Sequence, residues 1–167
     1  MMAEAIEHAL LASDYSHAVK LIEKTAMPMI LNAYFKTVED WLQAIPPEYL
    51  SKSPRVNMAF AWMHLMRRNF TEAAPHLERL QEIFATPQEE KFEPALWGQW
   101  LALQSMLLNA QGKAMESRDV AEQALKILPE NEAQVRSMTY MGLANAYEQM
   151  LDYERANQAA EAIIEHG

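Results

Sequence analysis

Few residues in this chain are suited to chemistry, and their spacing does not bring them together. Histidines stand at positions 8, 17, 64, 76 and 166. One face of a helix offers two imidazoles to a metal when they are four residues apart, and no His-x-x-x-His or His-Glu-x-x-His spacing occurs. The adjacent carboxylates Glu39-Asp40 and Glu89-Glu90 diverge on a helix and read as solvated surface rather than as an acid–base pair. With no cysteine there is no thiolate ligand, disulfide or thiol nucleophile, and zero cysteines fit a reducing compartment. Four scattered glycines form no Gly-x-x-x-x-Gly-Lys-Ser/Thr loop, so no phosphate cradle is assigned. No nucleophile–base–acid triad is visible either. The expectation is a non-enzyme with no catalytic residue, no metal and no cofactor.

Charge narrows the partners. The 167 residues carry 14 basic against 23 acidic side chains, a net −9 with histidine neutral. Nucleic acid is held by lysine and arginine on phosphate, and here Arg67-Arg68 is the sole adjacent basic pair. Direct nucleic-acid binding is therefore not expected. The opening Met1-Met2-Ala3-Glu4-Ala5-Ile6-Glu7 places carboxylates where an export signal needs bases. Pro94 to Gly112 has no charge but contains Gln99, Gln104, Ser105, Asn109 and Gln111, which suits a buried helix better than a membrane span. A cytoplasmic chain is expected, and at 50% hydrophobic residues it can build a core.

The elements that must position any site are helices. Alanine, leucine, methionine, glutamate and glutamine dominate, and neither hairpin-turn dipeptides nor sustained alternation occurs. The periodicity and breakers predict helices at about 3–12, 15–26, 29–44, 54–68, 71–85, 93–111, 114–128, 131–149 and 153–166. Ser53-Pro54 and Asp152 supply helix starts, Gly112 a helix end, and Pro46-Pro47 and Pro129 stops. Pro75 lies near the first turn of its helix. Short connections imply antiparallel neighbours, in a bundle or a stacked array.

Repeats favour the array. Tyr140, Leu143-Ala144, Tyr147 and Ala156 stand at offsets 0, 3, 4, 7 and 16, and the same offsets fall on Leu101, Gln104-Ser105, Leu108 and Ser117, then on Asn57, Phe60-Ala61, His64 and Ala73. Ala9, Asp14-Tyr15 and Ala18 fit a truncated copy. Small residues at matching sites let two backbones approach within each hairpin. Asp152-Tyr153-Glu154-Arg155-Ala156 and Asn69-Phe70-Thr71-Glu72-Ala73 resemble the turn and second-helix start of the tetratricopeptide repeat, here lengthened. That resemblance implies an all-α, right-handed superhelix of antiparallel helix hairpins, divided as 1–52 (a half repeat plus an odd helix), 53–92, 93–130 and 131–167. An irregular bundle with chance alanine spacing is the competing arrangement.

Two segments carry a further resemblance. Trp41-Leu42-Gln43-Ala44-Ile45-Pro46-Pro47, Ser53-Pro54-Arg55-Val56 and Ala61-Trp62 resemble a Trp-Leu-x-x-Leu-Pro, x-Pro-Arg-Leu, Ala-Trp succession in large MalT-like, LuxR-type, ATP-dependent transcriptional regulators. Ala5 to Ala18 is similar to the helix pair before it. The resemblance implies the helical middle segment of such a regulator, between a nucleotidase and a DNA-binding helix-turn-helix, neither of which is in this sequence. It implies binding of a small-molecule inducer or a regulatory protein, coupled to self-association, so a homo-oligomer is compatible with it. A stand-alone tetratricopeptide adaptor, binding a peptide or partner helix, is the alternative.

In such an array the first helices line a concave wall. That geometry places Arg55, Met58 and Trp62 beside Gln99, Met106 and Asn109, followed by Met138, Met141, Asn145 and Glu148. Methionine is flexible and polarisable, so these residues form a candidate groove for an apolar peptide, partner helix or small ligand; filling of core gaps is the plainer role for each. Asn145 matches a site of the carboxylate clamp known in tetratricopeptide grooves, but Met58 and Met141 stand where that clamp needs lysine. A basic or apolar partner is expected over an acidic one.

Overall fold

A composition this rich in strong helix formers makes helix the least costly backbone, and proline, glycine and capping residues decide where each helix stops. The computed structural model describes residues 2–50, 53–85 and 93–166. Every regular element among them is helical: α1 (Met2–Leu11), α2 (Tyr15–Leu31), α3 (Phe35–Gln43), α4 (Pro47–Leu50), α5 (Pro54–Met66), α6 (Phe70–Phe84), α7 (Pro94–Ala110), α8 (Ala114–Ile127), α9 (Ala133–Gln149) and α10 (Tyr153–His166). They form two compact units, Met1–Pro87 and Gln88–Gly167. Glu89-Glu90 and the expected boundary at residue 92 lie outside the described residues.

In the first unit α2 is the hub. It packs against α1, α3, α4 and α5, while α5 pairs with α6. Its buried stripe, Ala18, Ile22, Ala26 and Ile30, recurs every four residues, one turn apart on the face toward its neighbours. Ser53 fixes the start of α5: its Oγ accepts from the Val56 amide at 3.1 Å and donates to Glu23 Oε1 of α2 at 2.6 Å. From Val56 to Leu65 every residue of α5 except Phe60 is buried, as expected of a helix with no polar face.

The second unit consists of two hairpins, α7–α8 and α9–α10, with α9 packed against both α7 and α8. Ser117 Oγ donates to the Ser105 carbonyl across the first hairpin at 2.8 Å. A larger side chain at either place would separate the helices. Ala61, Ala73, Ser105, Ser117 and Ala156 are buried, and Ala144 is partly buried against a core of Ala121, Leu143, Tyr147, Ala156 and Ala159.

One turn design links these helices. Ser13, Ala33, Arg68, Gly112 and Leu151 have φ between 57° and 75°. In each turn the amide of the following residue reaches back five positions, as from Asn69 N to His64 O at 2.8 Å and from Asp152 N to Tyr147 O at 2.9 Å. This left-handed closure satisfies carbonyls that a helix end otherwise leaves open. Asp14, Asn69 and Asp152 then cap the next helix by accepting the amide three residues on. Arg68, Gly112 and Leu151 are 44 and 39 residues apart, the same spacings as the side-chain repeat.

The structure corrects the sequence reading in one region. A break was expected between 26 and 29, followed by a helix over 29–44, but α2 continues through Pro28 to Leu31 and the chain turns at Asn32-Ala33-Tyr34. Proline removes one amide and leaves its own carbonyl free to accept, and Pro28 O receives both the Asn32 amide and Asn32 Nδ2, at 3.2 and 2.8 Å. Burial of Ile30 secures the last turn. The short helix α4 was not anticipated.

Candidate functional site

The ten residues expected to line a groove meet different fates. In the first unit Met58 and Trp62 are 1% and 0% exposed, inside the core rather than on an open wall, and Arg55 is half-buried. Hydrophobic transfer accounts for this: α5 has no polar face to leave in water, and Met58 and Trp62 are buried with most of its other side chains. The Trp62 indole nitrogen has no hydrogen-bond partner among the described residues.

In the second unit the expected amides join helices. Gln99 of α7, 9% exposed, donates through Nε2 to Glu132 Oε2 at 3.0 Å, just before α9. Asn109, at the far end of α7, donates to the Gly142 carbonyl at 3.1 Å and accepts from Gln149 Nε2 at 2.6 Å. The two first helices are thereby tied together near both ends. Met106 and Met138 are half-buried. Met141 is 49% exposed, and Asn145 and Glu148 are exposed. Spacings of four and three residues put these last three on one face of α9. A flexible thioether, an amide and a carboxylate in a row give apolar contact, a two-way hydrogen bond and a negative charge, suited to recognition rather than bond making.

A second cluster has no metal-type spacing in the sequence. His64 on α5 and His76 on α6 lie beside Phe60, the Phe60 and His76 ring centroids 4.2 Å apart and nearly parallel, and the two imidazoles 6.1 Å apart. Asn57 Nδ2 donates to the Ser53 carbonyl at 2.8 Å, so Asn57 Oδ1 faces His76 Nδ1 at 3.0 Å and the imidazole carries its hydrogen there. Burial, with Arg79 and His64 nearby, pushes His76 down to about 4. Burial also lowers His64, Arg67 adding to the effect while Glu72 and Glu39 oppose it. Folding a hairpin about its turn juxtaposes positions roughly equidistant from it, which is the signal that would have paired these residues. Among the described residues no group of three or more His, Cys, Asp or Glu is placed to hold a metal ion.

Beyond the geometry, comparison with known proteins supplies a context. Over 127 residues, 76% of this chain, the sequence is 30% identical to the HTH-type transcriptional regulator MalT of Serratia proteamaculans (strain 568), and 27% identical to that of Cronobacter sakazakii (strain ATCC BAA-894). The chain is similar to a segment of MalT regulators. It spans 14% of the length of either MalT protein. No protein-family model matches the chain, and no solved structure matches it. No helix among the described residues is long and apolar enough to cross a membrane.

Proposed function

We propose that this chain is a non-enzymatic, cytoplasmic sensor segment of a MalT-like, LuxR-type transcriptional regulator, a tetratricopeptide-like superhelix that binds a protein, peptide or small-molecule inducer and couples that event to self-association. The 30% identity to MalT over 76% of the chain is the observation that carries the reading. The recurrence of one turn geometry at Arg68, Gly112 and Leu151, in register with the buried small residues, supports the repeat architecture. The binding surface centres on the outward face of α9, with Met141, Asn145 and Glu148, and excludes Met58 and Trp62 unless the core opens. Binding shifts the arrangement only insofar as it is stronger in one packing state than in the other.

Two measurements test this. The reading frame around these residues is expected to encode a nucleotidase before them and a basic helix-turn-helix after them; native start and stop codons at both ends would favour a separate adaptor. A basic amphipathic peptide library at low salt is expected to outbind an acidic one, and Met141→Lys to weaken binding of its best member at least tenfold with helicity unchanged. Equal binding of the two libraries, or indifference to Met141→Lys, would remove the α9 surface from the proposal.

A further inference from the structure

Gly142 stands in the middle of α9, where glycine weakens a helix relative to alanine. Two structural needs justify a glycine at such a place. The first is a backbone angle that other residues avoid, and Gly142 is not among the residues of positive φ. The second is close packing. It holds for Gly98, where an added Cβ would lie 2.7 Å from Leu128 Cγ, but at Gly142 a Cβ would meet nothing within 4 Å. Gly142 is nevertheless buried, so the empty space over its Cα is a walled recess rather than open surface. Close approach of a ligand to the backbone is the reason for glycine that is left.

The walls of the recess come from α7 and α9. Gln99 bonds Glu132, and Asn109 bonds the Gly142 carbonyl, each pair 33 residues apart, so the two helices run parallel in one register. That register sets Met106 of α7 opposite Thr139, one turn before Gly142. Helical spacing sets Met138 and Asn145 on either side of Gly142 along α9. Met106 and Met138 are half-buried and Asn145 is exposed. Asn109 is already committed, donating to the Gly142 carbonyl and accepting from Gln149. The recess thus has a floor of bare backbone, walls of adaptable thioether and one amide at its rim.

We propose that the recess over Gly142 receives one aliphatic side chain of a basic peptide, with Gly142 as the residue that sets its size limit. The inference rests on the α9 surface proposed above and names what that surface selects. Charge identifies the occupant. Helix α7 has no charged residue, and the one base of α9, Arg136, spends its guanidinium on the Leu125 and Leu128 carbonyls, both at 2.9 Å. Glu132 and Glu148 are left toward the two ends of the α9 face, in a unit that carries most of the chain's net −9. Lysine or arginine flanking the aliphatic side chain complements those carboxylates, whereas an acidic peptide or a second copy of this chain meets like charge.

The probe is a helical peptide of lysine and alanine with one central leucine, set beside the same peptide with alanine in that place. Each is titrated at low salt against the full chain, isotope-labelled at its methionine methyls and followed by NMR. The Met106 and Met138 resonances are expected to shift saturably, with the leucine peptide binding at least fivefold more tightly than its alanine counterpart. Gly142→Ala should reduce that preference and Gly142→Leu abolish it. The chemical denaturation midpoint should rise for Gly142→Ala, so the lost preference is not a lost fold. A leucine preference unchanged in Gly142→Leu, or shifts that miss Met106 and Met138, would overturn the proposal. If Met141→Lys weakens both peptides while the Gly142 variants keep the preference, the α9 surface stands and the recess alone falls; if neither substitution matters, both fall. Saturation of the same methyls by isobutanol but not by the leucine peptide would also overturn it, giving the recess to a small molecule.

Discussion

At the scale of single residues, the imidazole pair of the first unit ties stability to acidity. An unfolded histidine takes up a proton near its ordinary value of 6.5, whereas folded His76 does so only near 4, so between these values the unfolded chain holds more protons and falling pH favours it. His64 is displaced in the same direction. Stability is therefore complete above about pH 6.5 and declines as the pH approaches 4. Urea midpoints measured from pH 7.5 to 4.5 should fall for the native chain and fall less steeply for His76→Gln, which keeps a side-chain donor and cannot titrate in this range. Parallel pH profiles would show that His76 is not responsible.

Two helical glycines offer a second contrast. A Cβ on Gly98 would lie 2.7 Å from Leu128 Cγ and 3.2 Å from Leu128 Cα, whereas one on Gly142 meets nothing within 4 Å. Gly98→Ala should cost about 1–3 kcal/mol by overpacking the α7–α8 hairpin. Gly142→Ala should stabilise α9 by about 0.5–1 kcal/mol through reduced backbone freedom in the unfolded chain. Chemical denaturation reads both, and equal signs would contradict the packing described.

At the scale of the element, each turn is a local device with separable parts. Leu151 sits at φ 61°, where its Cβ is crowded, and is 70% exposed, so little packing is lost with its side chain. Leu151→Gly should raise stability by about 0.5–1 kcal/mol, the relief of strain exceeding the added freedom of the unfolded chain. Asp152→Ala removes the acceptor of the Arg155 amide and should cost about 1 kcal/mol. Thermal melts of the two variants should move in opposite directions. The turns also explain what the sequence concealed. Asn69-Phe70 and Asp152-Tyr153 announce themselves through capping residues, but the turn at Ala33 does not, because alanine carries no sign of a positive φ and Pro28 falsely suggests an earlier stop. Boundaries from α5 onward were legible because Ser53-Pro54, Gly112 and Pro129 mark them.

At the scale of the whole molecule, helix content and the buried small residues were legible because both follow from local chemistry and spacing. The candidate surface was legible only in part. A helical pattern identifies the face of α9 that holds Met141, Asn145 and Glu148, yet it cannot tell a groove methionine from a core one when the helix is apolar all round, as with Met58 and Trp62 on α5. Nor does it reveal that Gln99 and Asn109 spend their hydrogen bonds on neighbouring backbone and side chains. Those outcomes depend on contacts between elements distant along the chain.

The recurring corner between helices is closed by main-chain atoms, with a left-handed residue that is serine, alanine, arginine, glycine or leucine in turn. A joint of this kind is constrained in shape but loose in spelling. Searches keyed to a fixed letter at the bend will therefore overlook such hairpins, and the steadier marker is the small residue five places beyond it, Ala18, Ala73, Ser117 and Ala156 in four of the five bends, with Val38 the exception.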